Sequence, residues 1–376
     1  MVIPFGDLTR EVQEIRQDVD QAIARVLDRG WFIFGPEVEE FEKTFADWLG
    51  VSHVVGVASG TEAITLALLA LDVGEGDEVI TVANTCVPTA AGIASSGATV
   101  KLADCDPDTL MISLDSVEAA ITSKTKAIVP VHLYGNGVDI AGLQQLAKRH
   151  GLYIVEDCAQ ASGTLINDQR AGSFGEVNAF SYYPTKNLGA YGDGGCVATN
   201  DSSWAERLRS VRNYGYQQKD YSTEMGLNSR LDAMQAAILG AKLPHLDDWN
   251  QRRWEIAQRY NEGLEESGVG IPTTPKSVRN AYHIFPIMVD DRDGFQAKLR
   301  EAGVQSIVHY PVPLHLQPAL AGSGYEPGEF PYSEWACSHE LSLPIFPQLR
   351  DDEVDSVIEI VKETHRATVE GARDNG

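Results

Sequence analysis

One lysine, Lys186, lies between an aromatic run (Phe180, Tyr182, Tyr183) and a glycine-rich one (Gly189, Gly192, Gly194, Gly195) in the stretch FSYYPTKNLGAYGDGG. An amine with apolar neighbours loses hydration, which penalises its ammonium form and lowers its pKa. A partly neutral lysine attacks carbonyls, the requirement for Schiff-base chemistry. A lone lysine beside a glycine-rich turn also reads as an ordinary surface residue. The balance shifts upstream, where LYIVEDCAQASG reads as a buried strand ending in a carboxylate, Asp157.

A charge following mostly apolar residues is costly unless paired. Asp157 therefore reads either as a strand-end carboxylate capping a loop or as the partner of a cationic ring nitrogen in an electron-sink cofactor. Gln160 can reach a ring substituent from the same side or satisfy the loop backbone. Ser59-Gly60-Thr61-Glu62 stands where a strand feeds a helix, as an N-cap with its box or as a phosphate cradle using free N–H groups and the helix dipole. Ser181 can add a hydroxyl to a phosphate or bond the backbone. A carboxylate, a lysine 29 residues later and then a glycine-rich turn suggest the two polar ends of a pyridoxal phosphate site.

The elements that must position these residues follow in order. Residues 8 to 29 have apolar residues at helical spacing (Val12, Ile15, Val19, Ile23, Val26, Leu27), and a second helix runs from Pro36 to Leu49. Between them, Gly30 to Gly35 (GWFIFG) is an aromatic loop, packed on the core or serving as a pocket wall or subunit contact. Strands then alternate with helices: 54–58, 78–83, 99–104, 126–135 and 152–157, with further strands near Ala179–Tyr182 and Cys196–Thr199. This rhythm implies right-handed crossovers and a mostly parallel sheet covered on both faces. From Trp204 the pattern is helical, and the last long helix has the position of a bridge to a smaller α+β segment. That segment contains a strand in YHIFPIMV, a helix in GFQAKLREAGV, a proline-rich loop (Val308 to Leu320) and a terminal helix at Asp352–Glu363, with a frayed tail beyond it. The division expected is a large α/β domain over 1–245 and a small domain over 246–376.

The net charge of −24, from 54 acidic against 30 basic residues, argues against phosphate-backbone binding, which needs a basic footprint. No nucleic-acid partner is expected. The five cysteines show no metal-ligand spacing, so no metal site is expected and the thiols read as free, in a reducing compartment. The N-terminus lacks the apolar core of a signal peptide, and no window reaches a membrane span. A soluble cytoplasmic protein, with no membrane partner, is the expectation.

The ordered set IPFGDL, GPEVEEFEKTFADWLG, SGTEA, GDEVI, PVHLYG, VEDCAQASG, SFGEVNAFSYYPTKNLGAYGDGG, RNYG, LNSRLDAMQAAIL, HYPVPLHLQPA and LSLPIFPQL resembles the DegT-type nucleotide-sugar aminotransferases almost end to end. The resemblance implies the fold type I architecture of pyridoxal-phosphate transferases. In it, a large domain with a mostly parallel seven-stranded sheet is flanked by helices and followed by a smaller α+β domain. It implies Lys186 as the Schiff-base lysine and proton shuttle, Asp157 on the pyridine nitrogen, Gln160 on the ring hydroxyl, and Gly60, Thr61 and Ser181 on the phosphate. Asn228 would join from a neighbouring subunit, which implies a homodimer with shared sites.

Relatives that are sugar dehydratases carry histidine at the lysine position, so Lys186 favours transamination. One departure concerns Cys86, which stands where many relatives place an aromatic residue stacked on the ring. The reaction implied has two halves: glutamate converts the cofactor to pyridoxamine phosphate, which then aminates a keto group on a nucleotide-linked, dTDP-type deoxysugar. C-3 is slightly favoured over C-4. Tyr183, Tyr214, Arg230, His309, Tyr310 and His315 are the substrate-side candidates. Amination of a cyclitol, a sugar dehydratase or lyase, and a non-catalytic cofactor-bound regulator are the rival readings. An intact Lys186, Asp157 and Gln160 set argues against the last.

Overall fold

A computed structural model describes residues 2–374, with side chains placed through residue 370. The strands Thr99–Ala103, Glu78–Val82, Thr125–Val129 and Tyr153–Ile154 form a four-stranded parallel ladder in that spatial order. A second ladder orders Asn178–Ser181, Gly195–Thr199 and His53–Val57, with Gly195–Thr199 antiparallel to both neighbours. The backbone of Asp157 joins the two ladders, forming parallel bridges to Val131 on one side and Ala179 on the other. The result is one seven-stranded, mostly parallel sheet whose seam runs through the carboxylate position.

The strand cores are continuous apolar runs, as expected for a sheet buried on both faces. Val55, Val57, Val79, Ala127, Val129 and Val197 are buried with the helix Gly60–Ala70 on one side. On the other, Ile80, Ile128, Phe41, Phe45, Phe180 and Tyr182 pack together. Phe45 meets Phe180 and Tyr182 edge-on, at centroid distances of 5.3 and 5.7 Å, a geometry favoured by the ring quadrupoles. A separate cluster gathers Ile256, Tyr260, Phe285, Phe295, Leu341 and Val357, with Ile3 from the N-terminus. It forms around the antiparallel pair Phe285–Met288 and Glu340–Leu343 and the helices Leu246–Leu264, Arg292–Glu301 and Asp351–Asp374.

Several boundaries differ from the periodicity. The first helix breaks at Ile15 into Leu8–Glu14 and Arg16–Arg29, because Ile15 turns inward onto a cluster with Val19, Ile238 and Trp249. The strand expected through Gly135 ends at Val129. Pro130 follows, and its ring nitrogen has no proton to give a ladder. The strand expected over 152–157 is regular only at Tyr153–Ile154, with Asp157 returning to the sheet as a bridge. The terminal helix runs on to Asp374, so the expected fraying of the tail is corrected through that residue. The final two residues lie outside the described ones. The aromatic loop is not packed on the core: Trp31, Phe32 and Ile33 are about half exposed.

No helix among the described residues is long and apolar enough to cross a membrane. All five cysteines are free thiols.

Candidate active site

A cavity of about 460 Å³ opens at the C-terminal ends of the parallel strands, lined by Ser59, Gly60, Thr61, Cys86, Thr89, Asp157, Ser181, Tyr183, Lys186 and Tyr310. Ligands collect at such strand ends because the loops there are free to vary while the sheet fixes their roots.

At one end stands the helix Gly60–Ala70, whose N-cap Ser59 has extended backbone and accepts from the Glu62 N–H at 3.2 Å. The first-turn N–H groups of a helix have no intrahelical acceptor, so they face outward as donors. Gly60 is required here by close approach: a Cβ at this position would lie 2.5 Å from Ser181 Cβ. The helix start and the strand end carrying Ser181 therefore converge, with Thr61 beside them, into an anion-sized cradle.

At the other end, the Asp157 carboxylate is buried, 3% exposed. Its Oδ2 accepts from Thr89 Oγ1 at 2.8 Å and its Oδ1 from the Ala159 N–H at 3.0 Å. Burial pushes the Asp157 pKa up, and these donors together with the charge of Lys186 offset part of the rise. Gln160 is fixed: its Oε1 accepts from the Tyr134 N–H at 2.5 Å and its Nε2 donates to Tyr310 Oη at 3.0 Å. Burial raises the Tyr310 pKa well above its ordinary value, so the phenol stays protonated.

Lys186 reaches the cavity from the turn after strand Asn178–Ser181, where its N–H bonds the Tyr183 carbonyl at 2.8 Å. The residue as a whole is part-exposed, yet the surrounding protein strips water from its amine and lowers its pKa, with the Asp157 charge opposing. Its Nζ lies 3.5 Å from His283 Nε2. A second cavity, of about 440 Å³, shares Lys186 as a wall and is otherwise lined by residues that include Phe5, Arg253, His283, Gln305 and His309. Lys186 thus stands between two chambers.

The donor set fits pyridoxal phosphate. The Gly60 cradle suits a phosphate, and the buried Asp157 suits a cationic ring nitrogen. Cys86 is the N-cap residue of the helix Val87–Ser95 and lines the same chamber. Tyr183 also lines this chamber.

The substrate-side candidates do not all converge. His309 lines the second chamber, its Nδ1 2.9 Å from Ser342 Oγ, and burial lowers its pKa to about 4. Tyr214 and Arg230 lie together away from both chambers, the guanidinium 5.5 Å from the tyrosine centroid, with Arg230 Nη1 donating to Asn213 Oδ1. Asn228 is exposed beside them, its backbone bridging Asn213. His315 is buried against Phe330, pairs with Glu334 Oε1 at 3.0 Å and lines neither chamber.

Thr89, His283 and Asn187 escaped the sequence reading. Thr89 lies 68 residues before Asp157 with no local pattern linking the two, and only the tertiary contact reveals their bond. Asn187 adjoins Lys186 and could have been suspected from that alone.

Among the described residues, His132, Glu156 and Cys158 form one buried group of potential metal ligands. The Val138 N–H donates to His132 Nδ1, so Nε2 carries the proton and gives it to Glu156 at 2.9 Å. Glu156 also accepts from the N–H groups of Gly172, Phe174 and Gly175. The cluster is satisfied as hydrogen bonds and ties the Gly172–Gly175 loop to the sheet.

Comparison with known proteins agrees with this geometry. Residues 13–362 match the model of the DegT/DnrJ/EryC1/StrS aminotransferase family. The chain is 46% identical to the erythromycin biosynthesis sensory transduction protein EryC1 of Saccharopolyspora erythraea, covering 96% of this chain and 99% of that protein. It is 45% identical to the dTDP-3-amino-3,4,6-trideoxy-alpha-D-glucose transaminase of Streptomyces venezuelae, covering 96% of each. The crystal structure of S. venezuelae DesV in complex with a ketimine intermediate superposes with a TM-score of 0.95 at 44% identity, covering 97% of this chain and 98% of that one. Similar solved structures hold the cofactor in its pyridoxal and pyridoxamine forms. With the family model spanning nearly the whole chain and the cavity built to suit the cofactor, this chain belongs to the DegT/DnrJ/EryC1/StrS family of pyridoxal-phosphate-dependent aminotransferases.

Proposed function

We propose that this enzyme moves an amino group from glutamate to a ketone on a nucleotide-linked keto-deoxysugar, of dTDP type and with C-3 favoured over C-4, for amino-sugar biosynthesis. The observation that carries the reading is Lys186 standing between two chambers, one suited to the cofactor and the other open to a substrate. The S. venezuelae relative, a 3-amino-sugar transaminase by name, supports the choice of substrate class and carbon.

Pyridoxal phosphate, when bound, supplies a conjugated ring that withdraws electrons from the carbon attached to the amino nitrogen. The chain's own residues do the rest. Gly60, Thr61 and Ser181 would hold the phosphate, and Asp157 would keep the ring nitrogen protonated. Thr89 and the Ala159 N–H favour the ionised form of Asp157 and aim its carboxylate. Gln160, held by the Tyr134 N–H and bonded to Tyr310 Oη, would face the ring hydroxyl of the bound cofactor. The loss of hydration that lowers the Lys186 pKa favours its free amine, and Nζ would take the proton from the donor carbon and return it. Cys86 fills its side of the chamber by packing, without a ring face to stack.

The exposed Trp31, Phe32 and Ile33 and the outlying Asn228, Tyr214 and Arg230 support a homodimer in which these residues serve the neighbouring site. Such an apolar surface cluster marks a contact face. Mixing an Asn228→Ala variant with a Lys186→Ala variant tests this, because a shared site regains activity in one of the two hybrid sites and separate sites regain none.

The main test is the absorbance of the holoenzyme before and after glutamate, beside Lys186→Ala. The wild type is expected to lose its Schiff-base band and release 2-oxoglutarate, while the variant never forms the band. A panel of nucleotide-linked 3-keto and 4-keto sugars then reads the carbon aminated. A band that forms and that no amino donor discharges would overturn the transaminase reading in favour of a lyase or regulator.

A further inference from the structure

The second chamber contains a group whose role the cofactor site does not account for. His283 Nε2 faces Lys186 Nζ at 3.5 Å, and its Nδ1 lies 3.1 Å from Asn187 Oδ1. We propose that His283 is a positioning residue for the reactive amine, accepting one N–H of Lys186 at Nε2 and so directing the nitrogen lone pair toward the cofactor chamber. The inference rests on the reading of Lys186 as that amine.

The protonation pattern follows from a chain of contacts anchored on backbone. Asn250 Nδ2 donates to the Ser162 carbonyl at 2.9 Å, which fixes that amide with its Oδ1 free to accept. Asn187 Nδ2 donates to Asn250 Oδ1 at 2.7 Å and to the Ala281 carbonyl at 3.0 Å. Asn187 Oδ1 is therefore the acceptor and takes the proton of His283 Nδ1. In a neutral imidazole the other nitrogen is then a lone pair. Burial keeps the ring neutral, and the nearby charges of Lys186 and Arg253 add to the effect. A proton on Nε2 would instead be given to the lone pair of the amine, occupying the electrons that must attack, and would leave Asn187 Oδ1 facing an unprotonated Nδ1.

The anchoring is specific. Gly163, with φ of +105°, leaves room for Asn250, since a Cβ there would lie 2.1 Å from Asn250 Nδ2. His283 lines the chamber on the far side of Lys186 from the Gly60 cradle and does not line the cofactor chamber. An acceptor on that side holds one N–H back and leaves the lone pair facing the carbonyl to be attacked. The same contact gives the amine a fixed resting place whenever it is not covalently engaged.

The test measures how fast the apoprotein captures pyridoxal phosphate, followed by the growth of the Schiff-base absorbance. His283→Leu is expected to capture about tenfold more slowly, the size of losing one hydrogen bond to the attacking amine. His283→Gln, which can both accept from Lys186 and donate to Asn187, should recover most of the rate. Asn187→Asp should slow capture as His283→Leu does, because a carboxylate there draws a proton onto the ring.

The same His283→Leu change is then made in a Lys186→Ala background, where only non-covalent cofactor affinity remains. Positioning through Lys186 predicts no change in that affinity, whereas a merely structural role predicts the same loss in both backgrounds. Capture by His283→Leu within twofold of wild type, or an equal loss without Lys186, overturns the inference. Covalent capture by Lys186→Ala at the wild-type rate would instead overturn the reading of Lys186 itself.

Discussion

Replacing Thr89 with valine isolates one hydroxyl at the buried end of the site. Thr89 is 1% exposed, and its Oγ1 donates to Asp157 Oδ2 at 2.8 Å. Both residues are β-branched, so the first turn of helix Val87–Ser95 keeps its backbone preference. Asp157 must be ionised to pair with a cationic ring nitrogen, and burial already pushes its pKa up. Removing a donor to the ionised form pushes it further. A hydrogen bond to a charged group contributes about 1.5–3 kcal/mol net, and about 1.4 kcal/mol is a decade in affinity. The cofactor should therefore bind about ten- to hundredfold more weakly wherever Asp157 is protonated in the apoprotein.

The sign with pH follows from the same linkage. Below the Asp157 pKa, binding must remove a proton, and the variant has the higher pKa, so the gap between the two proteins is widest on the acid side. Above both pKa values the carboxylate is ionised in each, and the gap closes. The assay is titration of apoprotein with pyridoxal phosphate from pH 5.5 to 8.5 (about the range in which such proteins are stable), with Thr89→Ser as the variant that keeps the hydroxyl. Thermal midpoints separate any loss of the 3.2 Å contact to Thr85 Oγ1. Equal affinities at every pH, or a gap that does not change with pH, would refute the reasoning.

Gly60→Ala places a methyl 2.5 Å from Ser181 Cβ. The cradle must spread, at a cost of about 1–3 kcal/mol for overpacking, and the ratio of affinities for pyridoxal phosphate over pyridoxal should fall; an unchanged ratio would remove the phosphate from this end. Glu340 accepts from the His309 N–H at 2.6 Å in a fully buried position that raises its pKa to about 8. A raised carboxylate pKa stabilises the fold below the unfolded value, and that contribution is lost as pH rises through the folded one. Wild type should lose stability relative to Glu340→Gln between about pH 4.5 and 8, by at most about 1.4 kcal/mol per pH unit. Parallel unfolding curves across that window would show that Glu340 is ionised throughout.

Much of this protein was legible without coordinates. The alternation of apolar runs with 3.6-periodic segments determined the α/β class, because a strand buried on both faces has to be continuously apolar and a covering helix has to be amphipathic. The helix expected from Pro36 to Leu49 has those bounds, since proline suits a first turn; the structure adds Gly50 as its left-handed close. Lys186, Asp157 and Gly60 stood out because a lysine among aromatics, a carboxylate ending an apolar strand and a glycine opening a helix each break a local rule that packing alone would keep.

What the tertiary structure alone decided was which of these exceptions meet. Asp157 joins two ladders through its backbone and bonds Thr89, a residue on a different crossover that no local pattern links to it. His315 looked as ready for a ligand as His309, yet Glu334 and Phe330 bury the first while the second lines a chamber. The orientation of His283 depends on a path from Ser162 through Asn250 and Asn187, segments far apart in the chain. Periodicity records which face of an element is buried; it holds no record of which distant polar groups share that face, because those contacts form only when the crossovers close.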